Sequence, residues 1–273
     1  WIEQRRTVIS ANGAIRMMLA LGFAGTLTGL TGIGSQAFQE QLQPIFGKDV
    51  LSNKMAGWKS FGEHTRQVLQ SEFSDKRPLL ITDNYYTAAQ LRFAGFPDKV
   101  ITLDRDKSVR DGRATQLAMW RMDADSIQDY IGQPALYINE DSTLLLADKI
   151  SFMTEMCSFS QRIRPSTPLS LFAGDKAFSF YVIDKLVMSE PGLTGRAQPC
   201  PYPIIAWIDT PDNEAVVRGQ LTVAGWSYSE DLGIEAVELM LNGETIHSLH
   251  YGLPRPDVVS KQWVMSDSNR PNL

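Results

Sequence analysis

Between Ala14 and Ile33 the chain runs AIRMMLALGFAGTLTGLTGI, twenty residues with no acidic side chain. Coiled as a helix, such a run rises about 30 Å, the thickness of the hydrocarbon layer of a bilayer. Gly22, Gly25, Gly29 and Gly32 sit within it. In a water-soluble helix each glycine costs about 1 kcal/mol against alanine. In a membrane, Gly25 and Gly29 form a small-xxx-small pair that lets helices approach closely. The expectation is a membrane-spanning helix. Arg5, Arg6 and Arg16 place its N-terminal side in the cytoplasm, so that residues after about 34 lie on the periplasmic or extracellular side of a bacterial inner or cell membrane. Three other readings compete. Arg16 and three threonines also suit an amphipathic soluble helix. A signal peptide shares the basic start but has a shorter apolar core behind an initiator Met. A nucleotide-binding G-x-G-x-x-A loop over Gly32 to Ala37 needs a strand before it, where a glycine- and threonine-bearing helix pattern stands instead.

The whole chain has ordinary globular composition, 43% hydrophobic and 21% charged, which excludes a disordered or low-complexity chain. A net charge of −5 and a pI near 5.3 argue against nucleic acid as a partner. Two hundred and seventy-three residues suit one large domain or two modest ones. The chain opens on Trp1 without Met and stops soon after strand-like sequence, so we expect a piece of something longer.

The expected organisation has four segments: a last transmembrane helix with its cytoplasmic flank over 1–34, an extracytoplasmic α/β domain over 35–190, a linker over 191–202 and an all-β module over 203–273. Gly57 to Ser71 has helical spacing of Trp58, Phe61, Val68 and Leu69. Strands are expected at Pro78–Thr82, Lys99–Leu103, Pro134–Ile138, Leu169–Phe172 and Ala177–Val187. Helices are expected at Tyr86–Phe93, Thr115–Ile131 and Leu146–Ile163. Such alternation, with continuously apolar strands, signals a small, mostly parallel sheet covered by helices, the last pair of strands adding an antiparallel edge. The linker is rich in Gly and Pro. Beyond it, Val216–Val223 and Val237–Leu249 are strand-like, and Asn242-Gly243 marks a type I′ hairpin. Residues 203–273 hold ten acids against four bases, an acidic module that we expect to be a small, truncated sandwich.

Classical catalytic apparatus is sparse. His64, His247 and His250 are the only histidines, and they read as surface or structural residues; no nucleophile elbow, zinc-protease motif or Walker loop occurs, and no metal site is expected. Polar residues gather instead where open α/β sheets bind ligands, at strand carboxyl ends. Asp83, Asn84, Tyr85 and Tyr86 come after the first strand, Asp104, Arg105 and Asp106 after the second, and Asn139, Glu140 and Asp141 after the third. Arg110, Arg113, Gln116 and Trp120 lie between. Arg offers a planar fork for phosphate or carboxylate, and Trp and Tyr offer faces for a sugar ring. Ordinary solvated strand ends are the competing explanation. Cys157 and Cys200, the only thiols, would close a disulfide outside the cytoplasm; two free or buried thiols are the alternative.

Taken in order, these segments resemble the C-terminal, non-cytoplasmic end of a bacterial GT-C glycosyltransferase of the dolichyl-phosphate-mannose-protein mannosyltransferase and aminoarabinose-transferase-like group. Gly57-Trp58 is similar to the helix opening just outside the last span. Thr82-Asp-Asn-Tyr85-Tyr86-Thr-Ala-Ala89 resembles the family's strand, Tyr and alanine-bearing helix, and Arg113-Ala-Thr-Gln116 with Trp120 resembles its Arg, Gln and Trp segment. Val223-Ala-Gly225-Trp226, Gly233 to Val237, Tyr251-Gly252 and Arg255-Pro-Asp257-Val258 look like an Ig-like module appended to such enzymes. The resemblance implies transfer of a sugar from a polyprenyl-phosphate donor to a lipid, glycan or protein acceptor at the bilayer. It also implies a catalytic acid, and in some members a divalent metal, in an earlier external loop. No catalytic residue then falls in this chain, and Tyr85, Tyr86, Arg113, Gln116 and Trp120 are its expected substrate contacts. Two other classes remain: a membrane-tethered glycan-binding protein without catalysis, and a soluble α/β enzyme using Asp83 and Asp104.

Overall fold

The computed structural model describes residues 2–37, 54, 56–74, 76–96, 99–188, 199–212, 215–229, 232–241 and 244–259. Contacts divide the chain into two compact units, one of Trp1–Thr65 with Leu169–Ala177, the other of Arg66–Pro168 with Phe178–Leu273.

The first unit carries α1 (Ile2–Ala37). Within it, Gly13–Ser35 is long and apolar enough to cross a membrane, and none of that stretch is buried against protein. Its threonines are a weaker obstacle to lipid than the sequence suggests. The hydroxyls of Thr26, Thr28 and Thr31 donate to the carbonyls of Gly22, Ala24 and Leu27 one turn back, at 2.9, 2.9 and 2.7 Å. Each hydroxyl is thus satisfied within its own helix, the condition a bilayer imposes. Gly32 and Gly34 lie inside this helix, so no phosphate-cradling loop forms there.

The same unit holds the start of α2 (Trp58–Phe73) and the short strand β5 (Leu169–Leu171). Gly57 precedes α2 with φ +78°, and a Cβ there would stand 2.7 Å from Leu171 Cδ1. Both the turn and the close approach require glycine. Lys176 is buried beside it, its ammonium 3.5 Å from the centre of the Trp58 ring and donating to the Ala56 carbonyl at 2.9 Å. The Trp58 indole N–H donates to the Lys54 carbonyl at 3.0 Å, closing this cage around the helix start.

In the second unit the strands are β1 (Leu79–Thr82), β2 (Val100–Thr102), β3 (Ala135–Glu140), β4 (Ile163–Pro165) and β6 (Lys176–Ile183), in the order β2-β1-β3-β6-β4. β2, β1 and β3 are parallel; β6 runs antiparallel to β3 and to β4. The sheet is therefore mixed. β6 supplies the antiparallel addition expected of the last strands, and a strand unforeseen at Ile163–Pro165, β4, pairs with it in turn. β1 and β3 are buried at every position, as strands covered on both faces must be. α3 (Tyr85–Phe93) packs over β1 and β2. Leu79, Ile81, Ile101 and Tyr137 share a core with Ile127 and with Met153, Met156 and Cys157 of α6 (Leu146–Ser158).

Two expected helices are cut short. Thr115–Ile131 becomes α5 (Ala114–Met119) and a 3-10 segment, Ala124–Tyr130. Arg121 takes φ +54° between them, and Asp123 bridges to Thr102 beside β2, so the chain leaves the helix to meet the sheet. The helix expected to reach Ile163 stops at Ser158, because Ile163 is taken by β4.

The described C-terminal residues hold two ribbons, β7 (Ile205–Thr210) with β8 (Ala224–Tyr228) and β9 (Glu238–Leu241) with β10 (Glu244–Ser248), each antiparallel. Val216–Val223 is not a strand; Gly219 turns there with φ +80°. The expected hairpin residues Asn242-Gly243 and most of the expected linker lie outside the described residues. One arginine gathers this region. Arg255 donates to Asp209 at 2.8 Å, to Asp257 at 2.9 and 2.7 Å and to the Gly225 carbonyl at 3.1 Å. Its guanidinium pulls the Asp257 carboxyl down to about 2. Tyr251 donates to the Ser227 carbonyl, and Val258 of α7 (Pro256–Val259) packs with Tyr228. The Arg-Pro-Asp-Val motif thus fastens its own segment across β7 and β8. Arg255→Ala is expected to speed amide hydrogen exchange in β7 and β8 while β1 to β3 stay protected. Equal protection of β8 in the two proteins would show the clasp to be idle.

Candidate functional site

Parallel pairing brings the carboxyl ends of β1 and β2 side by side, and the turns that leave them become the floor of a cavity of about 450 Å³. Two capping residues shape those turns. Asn84 ends the β1 segment with extended backbone and accepts from the amides of Tyr86 and Thr87, starting α3. Asp104 does the same after β2, accepting from the Lys107 amide at 2.7 Å and starting α4 (Arg105–Arg110). These are the side-chain oxygens a helix start needs for its unpaired N–H groups. α6 supplies the remaining wall through Asp148, Ser151, Phe152 and Glu155.

Charges on the lining fall into two groups. Arg105 is held in place, forked between Asp125 at 3.0 Å and Glu155 at 2.9 Å. Lys107 lies 4.6 Å above the Tyr86 ring, and hydrogen bonding to that tyrosine raises its pKa. Arg110 pairs with its neighbour Asp111 at 3.5 Å, and its side chain is 69% exposed. Asp106 and Asp148 also line the space and are exposed. Carboxylate acceptors, cationic donors and the two aromatic residues Tyr86 and Phe152 therefore line one cavity. Such a mixture suits a ligand with many hydroxyls and an apolar ring face. The lining contains neither histidine nor cysteine.

Of the residues singled out in the sequence as substrate contacts, only Tyr86 lines this space. Tyr85 stands beside it, ring edge against Tyr86, and donates its hydroxyl to Asp111 at 3.0 Å. Arg113 precedes α5 without capping it, Gln116 is half-buried on that helix, and Trp120 ends it 55% exposed. None of these three reaches the cavity. Lys107, Thr143 and the α6 residues were not foreseen. Their arrival depends on α6 folding back over the strand ends, which no local pattern announces.

Beneath the floor lies a second polar group. Asp83 is fully buried, accepts from the Asn84 amide nitrogen at 2.9 Å, and keeps its Oδ1 without a partner among the described residues. Burial, joined by the charge of Glu140, pushes its carboxyl up to about 7. Asp83 does not line the cavity, whereas Asp104 does. Cys157 and Cys200 are joined in a disulfide with Cα atoms 6.1 Å apart, and Tyr202 contacts Thr154 through their hydroxyls at 3.2 Å. His247 and His250 line no part of the cavity, and neither does His64. Among the described residues no three of His, Cys, Asp or Glu converge on a point. No protein-family model, curated protein or solved structure matches the chain.

Proposed function

We propose that this chain is the membrane-anchored, non-cytoplasmic end of a polyprenyl-phosphate-dependent glycosyltransferase of the GT-C kind, and that its α/β unit receives part of the sugar-bearing substrate. The observation that carries the reading is the cavity at the carboxyl ends of β1 and β2, with carboxylates, cations and two aromatic residues around one space. The apolar helix Gly13–Ser35 supports an anchor in the membrane, and the disulfide supports an oxidising compartment for the α/β unit. In the C-terminal region, the two ribbons and the Arg255 clasp support an Ig-like module. The chemistry of transfer belongs to an acid outside this chain, as the resemblance implies. These residues bind and orient.

Arg110→Ala and Asp148→Asn, made in the intact enzyme, are each expected to raise KM for the sugar substrate about tenfold, the loss of one charge-assisted hydrogen bond. Both side chains are exposed, so the fold should survive. Unchanged kcat/KM in both variants would take the cavity off the substrate path. Saturable glycan binding by a chain whose native membranes show no transfer would instead make it a tethered glycan-binding protein.

A further inference from the structure

α4 and α5 form a tight helical pair, closed by the Gly112 amide on the Val109 carbonyl at 3.1 Å and the Arg113 amide on the Ser108 carbonyl at 2.7 Å. Each helix buries one residue, Ser108 and Leu117. What they turn outward is unusual for a solvated surface: Val109 is 67% exposed, Met119 78% and Trp120 55%. Single exposed apolar residues are ordinary, but three on one short hairpin ask for a cover. In sequence, Arg110 and Arg113 stand between them, both exposed. The acid of the turn, Asp111, is occupied by the Tyr85 hydroxyl and by Arg110, which leaves Arg113 the uncompensated charge of the turn among the described residues.

We propose that this hairpin docks on the surface of the bilayer that anchors the chain, with Val109, Met119 and Trp120 entering the interfacial zone and Arg113 meeting lipid phosphates. Indole prefers that zone because its ring is apolar and its N–H is not, and a guanidinium fork matches phosphate oxygens. A bilayer is also the partner a tethered domain meets at the highest effective concentration. Docking explains why Arg113 and Trp120, which look like ligand contacts in the sequence, stay away from the cavity. Docking rests on the membrane reading of α1, and one experiment separates the two.

The full chain, with Met119→Cys carrying a nitroxide, is placed in nanodiscs of phosphatidylethanolamine and phosphatidylglycerol; Leu27→Cys in a second preparation reports on α1. The native thiols are closed in their disulfide and do not take the label. Docking predicts that the residue 119 label relaxes faster with dissolved oxygen than with a water-soluble nickel complex, the pattern of a lipid-facing site. A residue 119 label open to nickel, with the residue 27 label in lipid, overturns docking and keeps the anchor. Both labels open to nickel overturn docking and anchor together. A residue 119 label shielded from both reagents marks a protein interface and likewise overturns docking.

Discussion

Opening the Cys157–Cys200 disulfide is expected to cost about 4 kcal/mol of stability. The bridge closes a loop with a sequence separation of 43 residues, and the chain-entropy relation for a loop of that length returns about 4 kcal/mol. A typical domain holds only about 5–15 kcal/mol in all, so the bridge is a large fraction of it. Packing points the same way. Both cysteines belong to the core beneath β1 and β3, and Cys200 lies within 3.8 Å of the Met153 carbonyl. Without the bond, the segment entering β7 keeps only contacts such as the one between Tyr202 and Thr154 to hold it on α6. Urea unfolding of the oxidised chain, of the chain in dithiothreitol and of the Cys157→Ala/Cys200→Ala variant should show the last two with nearly the same, lower midpoint. Coincident midpoints for all three would mean that the bridge adds nothing. Production in a reducing cytosol should yield the less stable form, which ties the stability of this unit to the compartment in which it folds.

Continuous apolar strands at β1, β2 and β3 were legible in the sequence because a doubly covered strand needs apolar side chains on both faces. The long run from Ala14 stood out because its length and lack of acids constrain it more than any tertiary contact could. Errors fall where tertiary contacts override a local pattern. Arg121 breaks a helical run because Asp123 pairs beside Thr102, a partner set by the sheet and invisible to helical spacing. β4 claims Ile163 because β6 had an open side to cover. Val216–Val223 alternates like a strand, yet β7 finds its partner in the next segment, Ala224–Tyr228, and pins Gly225 so closely that a Cβ there would stand 2.2 Å from the Trp207 carbonyl oxygen. The cavity was legible in kind, as polar residues at strand ends, and not in membership. Strand ends are marked in the sequence by their own residues; the residues of α6 that complete the wall lie far along the chain and carry no mark.

Asp83→Asn is expected to stabilise the α/β unit above pH 7 and to destabilise it by about 2 kcal/mol near pH 4, where no charge penalty remains for the substitution to relieve. Asp83 titrates near 7 in the folded chain against about 3.8 when free, because burial disfavours its charged form and Glu140 adds a like charge, with the Asn84 hydrogen bond opposing both. Its pKa is raised by folding, so between about pH 4 and 7 the native state holds a proton that the unfolded chain has released. Stability therefore falls as pH rises through that window and levels off above it. The full penalty corresponds to about 4 kcal/mol at 1.36 kcal/mol per pH unit. Asparagine removes the charge, but its N–H₂ replaces an oxygen that has no partner among the described residues, and a buried unpaired donor returns about 1–3 kcal/mol of cost. A net gain of about 2 kcal/mol at pH 8 is the expected result. Urea unfolding of both proteins from pH 4 to 8 checks it, because steric effects of the substitution do not vary with pH and the charge does. A difference that stays constant across the range would show that Asp83 does not titrate in it. The burial has a structural use. Asp83 fixes the amide of Asn84, and the opposite oxygen of that amide starts α3 through Tyr86 and Thr87, which sets one wall of the cavity. A carboxylate that weakens the fold at neutral pH is retained at the point where it aims the residue that shapes the site.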